Sequence, residues 1–91
     1  MADVVVTLKC VLAEPDTDIN EAKKKIKKEI ESSKFKLLGM DIEDVAFGIK
    51  AIITRFAMDE AIGNYDDLEE NLKNLEEISS IETIQVSRAF G

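Results

Sequence analysis

The stretch "DVVVTLKCVLAEPDTDINEAKKKIKKEIESS", residues 3–33, changes its hydrophobic period partway along, and that change decides the fold. Over residues 3–12, Val4, Val6, Leu8 and Cys10 alternate with Val5, Thr7 and Lys9, so one face is apolar and the other mixed. Successive side chains of a strand point to opposite faces, which makes this a half-buried strand. "AEPDTD" (13–18) breaks it with the only proline, Pro15, and several turn formers. From Asp18 the period becomes helical. Ile19, Ala22, Ile26 and Ile30 fall on one stripe, which predicts an amphipathic helix over 18–33. Asp18 with Glu21 three residues on resembles a capping box, and the acidic first turn suits the helix dipole. The lysines of "KKKIKK" (23–28) lie off the stripe. They read as a solvated helix face, since Glu29 and Glu31 follow closely; a basic patch for RNA is the other reading.

The rest of the chain repeats the logic. "KFKLLGMDIEDV" (34–45) has strand character but broken alternation around Gly39, which predicts an irregular strand or a bulge. "AFGIKAIITRFAM" (46–58) predicts a strong strand, with Ile52, Thr54, Phe56 and Met58 on one face and Ile53 and Arg55 on the other. Residues 59–64 read as a loop. Asn64 with Asp67 is expected to cap a helix over 65–78, whose stripe is Tyr65, Leu68, Leu72 and Leu75. Residues 80–90 predict a last strand, with Ile84 and Val86 on one face. The order is β-α-β-β-α-β, and each helix is apolar along one side only. The expected architecture is therefore α+β: a ferredoxin-like βαββαβ sandwich, a four-stranded antiparallel sheet with both helices on one face. The other face would carry Val5, Thr7, Lys9, Ile53 and Arg55, either as an interaction surface or as ordinary scattered surface residues.

Composition narrows the function. The 91 residues are expected to form a single domain, 1–91, that needs no disulfide or metal to fold. Cys10 is the only cysteine and there is no histidine, which removes the commonest metal ligand and general base; no metal site and no cofactor are expected. No apolar run approaches bilayer length, and the N-terminus lacks the basic region of a signal peptide, so no membrane partner and a cytoplasmic location are expected. No phosphate-binding glycine loop of the Walker or dinucleotide type is present, and no C-x-x-C. The formal charge of −7 disfavours direct nucleic-acid binding and would suit a basic protein partner. RNA-recognition domains of this fold stack bases on central-strand aromatics. The first strand has none, and Phe56 falls on the core face. Acidic clusters such as Asp66, Asp67, Glu69 and Glu70 read as hydrated surface; acid–base or Mg²⁺ chemistry is the alternative. Residues alone thus point to an interaction module.

One stretch is more specific. "VAFGIKAI" (45–52) carries an aromatic-Gly-Ile/Leu-x-x-Leu/Ile signature as Phe47-Gly48-Ile49-Lys50-Ala51-Ile52. With "DVVVTLKC" (3–10), "PDTDI" (15–19) and "DLEENL" (67–72), it resembles the archaeal translation elongation factor 1-beta family and the C-terminal catalytic domain of the eukaryotic factor, over essentially the whole chain. The resemblance implies guanine-nucleotide exchange on elongation factor 1-alpha, the GTPase that delivers aminoacyl-tRNA. A member binds the GDP-loaded GTPase, speeds GDP release and hydrolyses nothing itself. An isolated monomer is the simplest expectation for this chain. The resemblance also assigns roles. Phe47 becomes a wedge inserted into the GTPase, and Gly48 permits the tight backbone beside it. Lys50 matches a common family lysine that faces the partner, or is simply an exposed strand lysine. Counting without gaps from Ile78 places Arg88 where the eukaryotic proteins have a lysine that reaches toward the Mg²⁺ and phosphate site. Arginine keeps that charge on a larger planar head. Phe90 is a further contact candidate. Asp44 stands where relatives often have proline, which bears on the stiffness of the corner. A small-molecule-binding regulatory module on the same fold is the competing function.

Overall fold

Val6, Leu8, Cys10 and Leu12 all bury on one face of the first strand, as their period demands. A computed structural model describes residues 3–62 and 64–89. Its elements are β1 (Asp3–Leu12), α1 (Ile19–Ser32), β2 (Lys36–Ala46), β3 (Ile49–Asp59), a short 3-10 turn (Glu60–Ile62), α2 (Asp66–Lys73) and β4 (Ile78–Ala89). The sheet order is β2-β3-β1-β4 and every neighbouring pair is antiparallel. This is the expected ferredoxin-like sandwich. Ala22, Ile26 and Ile30 of α1 and Leu68 and Leu72 of α2 form one core with Val6, Leu8, Cys10, Ile52, Phe56 and Met58. Both helices therefore cover the same sheet face.

Phe56 is the centre of that core. It is fully buried, stacks on Phe35 at 5.2 Å between ring centroids and meets Tyr65 edge-on at 5.9 Å. Beside it on the same face, the Thr54 hydroxyl is buried with no full hydrogen-bond partner among the described residues. Burial pushes the Cys10 thiol up to about 11, with a weak interaction from the Thr54 hydroxyl opposing it. Cys10 is accordingly a core filler and a poor nucleophile at neutral pH.

The open face follows the register. Thr7 stands opposite Arg55 and Lys9 opposite Ile53, as their parity predicts. Arg55 also pairs with Asp41 of β2 at 3.3 Å.

Local details differ from the sequence expectation where tertiary pairing intervenes. The second helix stops at Lys73, well short of residue 78. The apolar spacing continues through Leu75 and Ile78, but the chain tightens into short turns, Leu75 N–H to Leu72 O and Ile78 N–H to Leu75 O. Ile78 then enters the sheet opposite Leu12. The helix start also shifts by a residue: the Asn64 side-chain oxygen accepts from the Asp66 N–H at 3.3 Å, not from Asp67. The α1 start is as expected, with the Asp18 carboxylate accepting from the Glu21 N–H at 3.2 Å.

Both edge strands carry register shifts. β2 breaks register at Leu38 and at Val45, and β4 at Ile84. Bulges of this kind bend an edge and discourage pairing with another chain. They also spoil simple alternation: Ile84 falls in a bulge, and Val86, though opposite buried Val6, is 53% exposed.

One ion pair ties the helical layer to the sheet. The Lys25 ammonium of α1 lies 2.6 Å from the Glu77 carboxylate just before β4. The hydrogen bond from Lys25 holds Glu77 below the usual carboxylate range, and the same bond raises Lys25. The depressed carboxylate contributes stability above its unfolded value, about pH 4, and loses it as pH falls through the lower folded value. The raised lysine contributes below its own unfolded value, about pH 10, and loses that as pH rises. Glu77→Gln should therefore be less stable than the parent at neutral pH, with the gap closing on acidification below about pH 4. Urea unfolding at both pH values checks this, and a gap independent of pH would refute it.

Candidate functional site

The β2–β3 hairpin closes with two residues. Ala46 pairs with Ile49, so Phe47 and Gly48 alone make the turn. Both have positive φ, 53° and 79°. Two positive-φ central residues define the turn whose twist matches the flanking strands, and its preferred sequence is Asn-Gly or Gly-Gly. Gly48 fits that demand. A methyl group there would lie 3.6 Å from the Pro15 Cβ, an ordinary contact, so the backbone angle and not space selects glycine.

Phe47 does not fit. A bulky residue at positive φ is uncommon and strained. It is also 96% exposed, so burial does not compensate. The expectation of an aromatic held out at a glycine-assisted corner is met in geometry. Two further apolar side chains share this end of the hairpin: Ile42 is 39% exposed and Val45 42% exposed. Ile42 sits opposite core residue Ile52, and Val45 lies in the bulge between Asp44 and Ala46. Sequence reading missed both. The broken alternation over 34–45 marked an irregular strand but not which side chains it would leave uncovered.

Lys50 stands across the hairpin from Asp44, and its ammonium lies 2.6 Å from that carboxylate. Asp44 is thus an internal partner for the candidate lysine. This pair bridges the two strands just before the turn.

Arg88 lies far from these residues. It pairs with Val4, which in turn pairs with Met58. Nine residue steps along β3 lead from Ile49 to Met58, about 30 Å at the rise of an extended strand. The molecule is 42 Å in its longest dimension, so Phe47 and Arg88 occupy opposite ends of the sheet. Arg88 makes an ion pair with Glu60 of the 3-10 turn and remains largely exposed. Glu60 was legible only as a member of an acidic loop; its role as the arginine's partner depends on the β3–α2 connection folding back. Phe90 lies outside the described residues.

Among the described residues, the candidates Phe47, Gly48 and Lys50 gather at one end of the sheet and Arg88 lies at the other. Among the described residues no group of three or more His, Cys, Asp or Glu side chains is placed to hold a metal ion. Among the described residues, no helix is long and apolar enough to cross a membrane.

Known proteins give this geometry a context. Residues 5–89 match the family model described as the EF-1 guanine nucleotide exchange domain. Proteins named elongation factor 1-beta are similar over nearly the whole chain. That of Methanocaldococcus jannaschii is 34% identical over 89 residues, covering 98% of this chain and 100% of its own. That of Staphylothermus marinus is 36% identical, covering 97% and 98%. Among solved structures, the ACT domain from the GTP pyrophosphokinase of Chlorobium tepidum superposes with a TM-score of 0.61 at 15% identity, covering 90% of this chain and 99% of that one. The C-terminal domain of the MgtC protein from Mycobacterium tuberculosis gives the same TM-score, 0.61, at 11% identity, covering 98% and 88%. These last two likenesses concern the fold alone.

Proposed function

The chain belongs to the family of EF-1 guanine nucleotide exchange domains, and from that premise we propose that it promotes GDP release from elongation factor 1-alpha, so that GTP can bind and aminoacyl-tRNA delivery can continue. It acts in the cytoplasm as a single copy on its partner, breaks no bond itself and needs no cofactor. The observation that carries the reading, within a family match over residues 5–89, is the strained and exposed Phe47.

The physics is that of linkage. GTPases hold their nucleotide through Mg²⁺ and the loop that cradles the phosphates. A protein that binds the nucleotide-free state more tightly than the loaded one must weaken nucleotide binding by the same factor. In this reading Phe47 supplies that preference by wedging into the GTPase, with Gly48 setting the turn. Lys50, tied to Asp44, stiffens the hairpin behind the wedge and can exchange its partner on docking. Arg88 contributes a second contact at the other end, directed at the metal and phosphate region, with Glu60 holding its guanidinium until the partner competes for it.

Release of fluorescent GDP from purified elongation factor 1-alpha tests the proposal directly. The chain at micromolar concentration should accelerate release, and no acceleration would refute the function. The separation of the ends adds a sharper expectation. Arg88→Ala should slow exchange by about 10-fold, the loss of one charge-assisted contact. Combined with Phe47→Ala, the losses should multiply, because sites far apart without shared partners contribute independently. A double variant no worse than Phe47→Ala alone would show that the two ends do not act separately.

A further inference from the structure

We propose that the hairpin end is received by an apolar socket ringed with lysine or arginine side chains on the GTPase, with Ile42 and Val45 seated in it beside Phe47. The inference rests on the exchange-factor reading and adds the chemistry of the receiving site.

The first support is the uneven placement of charge. Gly48 lies against Pro15, so the β1–α1 loop shares the hairpin's end of the molecule. That loop and the first turn of α1 bring Glu14, Asp16, Asp18 and Glu21. The Ala13 N–H donates to the Glu77 carbonyl, which brings Glu76 and Glu77 to the same end. Glu14, Asp18, Glu21, Glu76 and Glu77 line one surface depression there. Glu43 and Asp44 come from the hairpin itself. Against these eight carboxylates stand Lys23, Lys24, Lys25 and Lys50, the last three already paired with one of them. The hairpin end therefore holds four of the chain's seven net negative charges, and the other eleven carboxylates and eight cations leave three.

The second support is apolar and independent of charge. Within six residues of the hairpin, Phe47 is 96% exposed and Ile42 and Val45 are partly exposed beside it. An exposed apolar tip set among carboxylates is complementary to an apolar pocket with a basic rim. Like charges there would repel, which disfavours a second copy of this chain as the occupant. Fields of this kind act mainly on the encounter rate, and apolar contacts act mainly on dissociation. The tip should thus arrive first, guided by charge, and stay by burial.

Stopped-flow association with GDP-loaded elongation factor 1-alpha separates these parts. Glu14→Lys/Glu43→Lys should slow association at least about 10-fold at low salt, with the deficit shrinking at high salt as screening removes the steering. Glu31→Lys/Asp67→Lys makes the same charge change at exposed positions in the last turn of α1 and the first turn of α2, away from this end, and should stay within about 2-fold of the parent. Ile42→Ser and Val45→Ser should each speed dissociation about 10-fold with association unchanged. Circular dichroism confirms that each variant is folded, and the charge pair tests the socket even where a serine variant does not fold. If both charge pairs slow association equally, net charge alone acts and the basic-rimmed socket is refuted while the exchange function stands. If the parent neither binds nor accelerates release, the function itself fails and the socket with it.

Discussion

Phe47→Asn should lose nucleotide exchange on the order of 100-fold and yet leave the domain more stable than the parent. The activity loss is the size expected when a buried aromatic anchor is removed from an interface, ~2–4 kcal/mol. The stability gain follows from the turn. Phe47 holds φ at 53° without being buried, and asparagine takes that conformation readily as the first residue of Asn-Gly. The relief should amount to about 1 kcal/mol, visible as a higher urea midpoint at unchanged slope. Opposite signs for function and stability are what a residue kept for binding should produce, since strain at a site persists only where something else requires it. Undiminished exchange would dispose of the wedge role. A fall in stability would show that the turn favours phenylalanine for a structural reason.

Phe56→Ala should do the reverse, costing about 3–5 kcal/mol of stability, the usual range for deleting a fully buried phenylalanine. The ring fills the space between Phe35, Tyr65 and the sheet, and alanine would leave a cavity lined by side chains that cannot all move in. A domain of this size has about 5–15 kcal/mol in total, so the variant should melt about 15–30 °C lower. At temperatures where it remains folded, its exchange activity should stay near the parent's, because residue 56 lies inside the core and at neither of the proposed contact ends. Thermal unfolding and GDP release measured on one preparation check both halves. A loss of less than about 1 kcal/mol would mean that the core closes around the gap, against the packing described.

These two phenylalanines sit nine residues apart on one hairpin and show where sequence reading succeeds. Phe56 was legible as core because it shares parity with Ile52, Thr54 and Met58. Period alone decided it. Phe47 was not legible that way, since parity says nothing at a turn. Only the family signature suggested a projecting residue, and the positive φ at both turn positions now explains how the chain projects it. Helix stripes were equally readable, whereas the end of α2 was not. Leu75 and Ile78 keep a helical spacing, and what stops the helix is the pairing of Ile78 with Leu12, more than sixty residues earlier. The same holds for Ile42 and Val45. Whether an apolar residue is covered depends on how far the helices reach along the sheet.

Local periodicity and turn chemistry by themselves determined the element order, the core face of each central strand and the ferredoxin-like sandwich, and composition alone gave the acidic balance. They could do so because burial on one face imposes a period of two on strands and near 3.6 on helices, and both are written into adjacent residues. Tertiary structure alone decided that Phe47 and Arg88 stand at opposite ends of the sheet, that Arg88 is held by Glu60 and Lys50 by Asp44, and that most of the net charge gathers around the hairpin. Those facts depend on register and on loops folding back. Both are set by contacts between residues distant in the chain, where no local pattern records them.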